Sequence, residues 1–284
     1  MKSYYRLFSC AFLFLFYCFN VFFVKADEKE IRQVDGKYYL NHFWDSYDFG
    51  NPSCLDDTVA IEQSFVDFIY VLKMGNEDVR RGAIKNLNDK IENNKAANER
   101  IETLANKYLY EISSPMLNEG LYSLFLQTML QNPVNDDLKR MRMQWLIDDI
   151  KKNPIGGNAS DFEFETREGN KKKLYDVKSE RLILIFYDPD CLHCREVMKN
   201  VSENRDIISS LKKEEIKVVA ISSGTDKNKW REHSMSLPGE WIVGYEPGMI
   251  EDEEIYVFRS SPTIYILDSL KVVTDKEAQR HFEK

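Results

Sequence analysis

At 284 residues the chain has room for two domains of ordinary size. With 43% hydrophobic residues, 12 Gly and 8 Pro, its composition excludes a disordered or collagen-like chain. The formal net charge of -8 argues against a surface built for nucleic acid or an anionic membrane. In chain order, Lys2 and Arg6 precede an apolar run over residues 7–24, and Val24-Lys25-Ala26 supplies a small-residue cleavage site. This pattern predicts a signal peptide over 1–26. An uncleaved membrane anchor through residues 7–24 is the alternative, since the run approaches the ~18 residues that a spanning helix needs. Lipidation at Cys18 is a third option, with bulky Phe16 and Tyr17 against it. Each places the remainder outside the cytoplasm, in the periplasm or cell envelope. Cys10 and Cys18 would leave with the signal, and Cys54, Cys191 and Cys194 would remain. That odd count does not describe a disulfide-stapled scaffold.

Residues 27–153 predict an all-α domain of four to six helices. Ile61, Phe65, Phe68, Ile69 and Leu72 recur at helical spacing, as do Ile84, Leu87 and Ile91, and then Ile101, Leu104 and Tyr108. Further helices are expected over 115–130 and 136–150, with breaks at Gly75-Asn76, Ser113-Ser114-Pro115 and Asn132-Pro133. The aromatic stretch Tyr38 to Tyr47 reads as a partly buried helix entry or as part of a partner surface. Cys54 is expected to be a buried or half-buried free thiol.

Lys151 to Asn158, with Pro154, Gly156 and Gly157, marks a linker, and residues 154–284 form the second expected domain. Strands are predicted over 162–166, 181–187, 217–222, 241–245, 263–267 and 271–273. Helices are predicted over 194–211, 227–234 and 249–258, and Lys171-Lys172-Lys173 is expected to be an exposed turn. Alternation of this kind predicts an α/β sandwich around one central mixed sheet. Trp230 and Trp241 are expected in its core.

The strand at 181–187 runs into Asp188-Pro189-Asp190-Cys191-Leu192-His193-Cys194. Two thiols three positions apart, where a strand turns into a helix, can form and break one disulfide. A cysteine in the first helical turn sits at the positive end of the helix dipole, which favours thiolate. Cys191 is therefore the expected nucleophile and Cys194, one turn in, the resolving thiol. His193 is expected to favour the thiolate, and Asp188 and Asp190 to oppose it or to cap the helix start. Lowering a thiol from about 8.5 to about 6 would stabilise the reduced form by only about 1.4 kcal/mol at pH 7. That is roughly 30 mV in a range of about 150 mV, too little to set the direction of electron flow.

With these residues in view, the segment from about Ser160 onward resembles the thioredoxin superfamily, in the envelope-located branch of TlpA- and ResA-like thiol-disulfide oxidoreductases. The match rests on the strand-to-Cys-x-x-Cys turn, the strand Lys217 to Ile221, and Ser261-Pro262-Thr263 before another strand. The two-part layout, with Pro238-Gly239-Glu240-Trp241, is similar to Bacteroides-type envelope proteins that join a helical domain of unknown role to a thioredoxin-like domain. The resemblance implies that Pro262 is the family's cis-proline, facing the cysteines, and that Ser261 and Pro262 bind substrate backbone. It implies protein thiol or disulfide substrates, an unidentified membrane redox partner, and no cofactor, the electrons residing in the cysteine pair. In thioredoxin a buried acid lies six residues before the first cysteine, whereas Ile185 stands there in this chain, so the resemblance supplies no proton route for Cys194.

A structural zinc site would need about four ligands, and no second Cys-x-x-Cys exists to complete one. No metal is expected. Covalent haem attachment would need His after the second cysteine, where Arg195 stands, and the loop of a lone peroxidatic cysteine is not found. The competing reading is a binding or assembly protein in which the helical domain acts and the thioredoxin-like domain is a scaffold.

Overall fold

The computed structural model describes residues 36–51, 53–224 and 226–283. The predicted signal or anchor over 1–26 therefore lies outside the described residues. The helical part opens with α1 (36–42) and a short α2 (Ser53–Asp56), followed by α3 (Thr58–Leu72), α4 (Glu77–Ile91), α5 (Lys95–Leu109), α6 (Glu119–Met129) and α7 (Asp137–Ile150). Each of the five longer helices begins on an Asp or Asn whose side chain accepts a backbone N–H from the first turn: Asp57, Asn76, Asn94, Asn118 and Asp136. Such caps contribute about 1 kcal/mol each. Asn118 also explains why α6 starts at Glu119 and not at the expected residue 115. One apolar core unites these helices, with Phe65, Phe68, Ile84, Ile101, Phe125 and Ile147 at its centre. The aromatic entry divides: Trp44 is buried in this core, while Tyr38 and Tyr39 are exposed. Cys54 packs half-buried at its edge, and burial raises its thiol pKa.

The second part is built on β1 (Glu163–Thr166), β2 (Lys171–Lys173), β3 (Arg181–Phe186), β4 (Ile216–Ser223), β5 (Ile242–Glu246), β6 (Thr263–Asp268) and β7 (Val273–Lys276). They form one mixed sheet in the order β2-β1-β5-β4-β3-β6-β7. Strands β3, β4 and β5 run parallel, while β1, β6 and β7 are antiparallel to their neighbours. Helices α8 (Leu192–Glu203), α9 (Arg205–Lys212), α10 (Lys227–Ser234) and α11 (Met249–Asp252) complete it. β3 is central, so both its faces are buried. Ile183 and Ile185 join the core shared with Val197, Met198, Trp230 and Trp241, and Leu182, Leu184 and Phe186 join the opposite one with Tyr256 and Tyr265. This two-sided burial is why β3 reads as an unbroken apolar run.

Four sequence expectations need correction. Lys171-Lys172-Lys173 is not a turn but the edge strand β2, where its charges suit an unpaired edge. The expected helix over 194–211 is two helices, broken at Asn204, whose side chain caps α9. The helix expected over 249–258 stops at Asp252, and Glu254 two residues on has a positive φ of 49°. The last strand begins at Val273, because Lys271 occupies a turn at φ 66°.

Candidate active site

The buried strand β3 delivers the chain to Tyr187, after which Asp188-Pro189-Asp190 makes a tight turn. Asp188 Oδ1 accepts the Asp190 N–H at 2.8 Å, and Cys191 N–H donates to the Asp188 carbonyl at 3.1 Å. Arg195 closes the turn from α8, its Nε and Nη2 donating to the Pro189 carbonyl at 3.1 and 2.7 Å. Helix α8 is capped not by the acids but by Cys191, whose Sγ accepts the Cys194 N–H at 3.1 Å. The thiol therefore sits in the place where unpaired helix N–H groups meet the positive end of the dipole.

Cys191 is half-buried, Cys194 is fully buried, and both are free thiols. Burial, and then the hydrogen bond with Cys191, push the Cys194 thiol up to about 12; the Ser261 hydroxyl and a backbone hydrogen bond from Asp188 act the other way. The segment before β6 faces both sulfurs. Ser261–Pro262 is a cis peptide bond, the Ser261 carbonyl lies 3.7 Å from Cys191 Sγ, and the Ser261 Oγ lies 3.1 Å from Cys194 Sγ.

The flanking charges are paired with other groups. Asp190 accepts from Lys229 of α10 at 2.6 Å, and this ammonium holds its carboxyl below the usual range. Its charge is thus offset, which weakens its expected opposition to a thiolate. Asp188 spends one oxygen on the turn. His193 Nε2 lies 3.3 Å from Glu283 Oε1, on the exposed side of α8. Ile185 is fully buried where thioredoxin has its acid. Nearby, the Tyr187 hydroxyl and His233 Nδ1 are buried without a hydrogen-bond partner among the described residues, their rings 5.4 Å apart.

Sequence reasoning missed the residues that hold Ser260 to Pro262 in place. Gln279 donates to Ser260 Oγ at 2.6 Å, and its Oε1 accepts the Ile264 N–H. Arg259 reaches into the helical part, donating to Glu119 Oε1 at 2.6 Å and to the Tyr110 carbonyl, and lies 3.5 Å over the Tyr110 ring. Glu119 also pairs with Lys276 at 2.8 Å, and all three side chains are nearly or fully buried. These partners are some 140 residues apart in sequence, and no local pattern announces them.

Residues 30–153 match a domain of unknown function, DUF5106, and residues 155–275 match the AhpC/TSA family. No curated protein matches the chain. Among solved structures, a thioredoxin-like protein from Bacteroides caccae is 27% identical with a TM-score of 0.78, over 92% of this chain and 96% of that one. A conserved protein of unknown function from Bacteroides fragilis is 32% identical with a TM-score of 0.42, over 43% of this chain and 90% of its own. A domain of a possible thiol-disulfide isomerase from Cytophaga hutchinsonii is 24% identical with a TM-score of 0.39, over 45% of this chain and 86% of that one. The chain thus carries a thioredoxin-like domain of the AhpC/TSA family behind a DUF5106 domain.

Proposed function

We propose that the chain is a thiol-disulfide oxidoreductase that exchanges a dithiol/disulfide pair with protein substrates in the cell envelope. The observation that carries this reading is the Cys191–Cys194–Ser261 cluster: a half-buried thiol capping a helix, a buried thiol one turn in, and both against the segment preceding a cis-proline. Cys191 attacks a substrate sulfur, and Cys194 resolves the mixed disulfide by attacking Cys191 Sγ. Ser261 and Pro262 line the place where substrate backbone docks. The similarity to the Bacteroides caccae thioredoxin-like protein supports the fold around the cluster along nearly the whole chain. The envelope location, with residues 1–26 as signal or 7–24 as anchor, rests on the sequence pattern alone, and a membrane redox partner would return the pair to its working state.

Two variants test the reading. Cys191→Ser abolishes exchange with a disulfide-bonded test protein, and Cys194→Ser accumulates a covalent adduct visible by non-reducing electrophoresis. Unchanged exchange in both variants, with no adduct, would instead favour a scaffold whose work lies in the helical domain.

A further inference from the structure

Resolution of the mixed disulfide requires that Cys194 lose a proton, and the usual acid for that task is absent at Ile185, which is fully buried. The thiol itself is sealed from water, and its hydrogen-bonding oxygen is the Ser261 hydroxyl, 3.1 Å away. Ser261 is exposed, so its hydroxyl connects a buried sulfur to the surface on which substrate sits. Its carbonyl is also 3.7 Å from Cys191 Sγ, so a sulfur bonded to Cys191 lies over the same residue. Serine is a donor and an acceptor at once and can pass a proton without holding charge.

We infer that Ser261 is a catalytic residue of the resolving step, carrying the proton of Cys194 to the departing substrate sulfur. This rests on the exchange reading above. The Cys194 sulfur forms its bond to Cys191 Sγ as its proton moves to Ser261 Oγ. The bond between Cys191 and the substrate sulfur breaks, its electron pair leaves on the substrate sulfur, and the original hydroxyl proton passes to that sulfur. Over adduct formation and resolution together the cysteine pair loses two electrons; in this step the substrate sulfur leaves as a thiol, and no proton enters or leaves the solvent. The reverse sequence serves the opposite direction.

The groups around Cys194 are silent in the range that matters. Cys191 is tied up in the mixed disulfide at this step. Tyr187 faces Cys194 from the end of β3, and burial raises its pKa above the ordinary tyrosine value. His233 of α10 faces Tyr187 and Arg195, and burial lowers its pKa below the ordinary histidine value, so it is neutral above pH 7. A resolving step relayed through Ser261 is therefore independent of pH between about 7 and 9, whereas one without the relay waits on hydroxide and accelerates about tenfold per pH unit.

The test mixes reduced full-length protein with oxidised glutathione and follows formation of the glutathione adduct and then its release, by rapid acid quench and mass analysis. The expected result for Ser261→Ala is a release slowed about a hundredfold near pH 7 and recovering as pH rises, a larger effect than any on the adduct-forming phase. Ser261→Thr and Ser261→Val have the same shape and differ in the hydroxyl, so Thr keeps the flat profile and Val takes the sloped one. Equal pH slopes for the hydroxyl and non-hydroxyl variants would overturn the relay and leave a static hydrogen bond. Failure of the unsubstituted protein to form any adduct would overturn the exchange reading itself.

Discussion

At the scale of single residues, two thiols in one motif are given opposite characters by where they sit. Cys191 accepts an amide hydrogen bond at a helix start with part of its surface open, whereas Cys194 is sealed under it and held neutral by burial. Reduced protein treated with iodoacetamide near pH 7 therefore loses Cys191 first, ahead of Cys194 and of Cys54, whose thiol is also raised by burial. Peptide mapping of the singly alkylated product checks the order. The Cys-x-x-Cys motif could be named in the sequence because it is a local pattern, and the Ser261-Pro262 pair only through the resemblance to the thioredoxin superfamily. The offset of Asp190 by Lys229, the approach of His193 to Glu283 and the Ser261 hydroxyl on Cys194 could not, because each depends on chain brought from 39 to 90 residues away.

At the scale of elements, strands buried on both faces were readable from continuous apolar runs, 182–186 in β3 and 218–221 in β4. Short elements set by one backbone residue were not. Lys271 and Glu254 adopt left-handed conformations that end or delay elements, and neither residue type advertises that. A Cβ at Gly244 in β5 would run into Phe164 Cδ2 and meet Ile221 Cδ1 at 2.6 Å, so Gly244→Ala costs about 1–3 kcal/mol by denaturant unfolding. In the helical part, buried Asn132 exchanges amide bonds with Asn88 and also donates to Asn98 at 2.7 Å. Asn132→Leu strands both partners and costs at least about 2 kcal/mol, since each orphaned buried polar group costs about 1–3. A smaller loss in the same unfolding experiment would mean that water replaces the missing amide.

At the scale of the whole molecule, the two parts meet through charge as well as packing. Arg259, two residues before Ser261, and Lys276 share buried Glu119 of the helical part. Glu119→Ala leaves both cations without that partner and destabilises the protein by about 3–5 kcal/mol in chemical unfolding. The same contact ties the DUF5106 domain to the segment that faces the cysteines, which gives the helical half a physical link to the site. Stability also falls with alkali. Burial holds the hydroxyls of Tyr110, Tyr187, Tyr256 and Tyr265 above the ordinary tyrosine value, with Tyr110 at about 12. The unfolded chain releases these protons near pH 10 while the native chain keeps them, so the native state is stable below that pH and loses ground as pH rises through it. A thermal midpoint that held constant from about pH 8 to 11 would contradict this.

Whether Cys191 and Cys194 form one reversible redox pair is decided by equilibrating the full-length protein in thiol buffers of graded potential and counting free thiols at each position. The expected result is a single two-electron transition in which both thiols disappear together, with a midpoint between about -270 and -120 mV. Persistence of both free thiols across that range, or loss of one without the other, would contradict it.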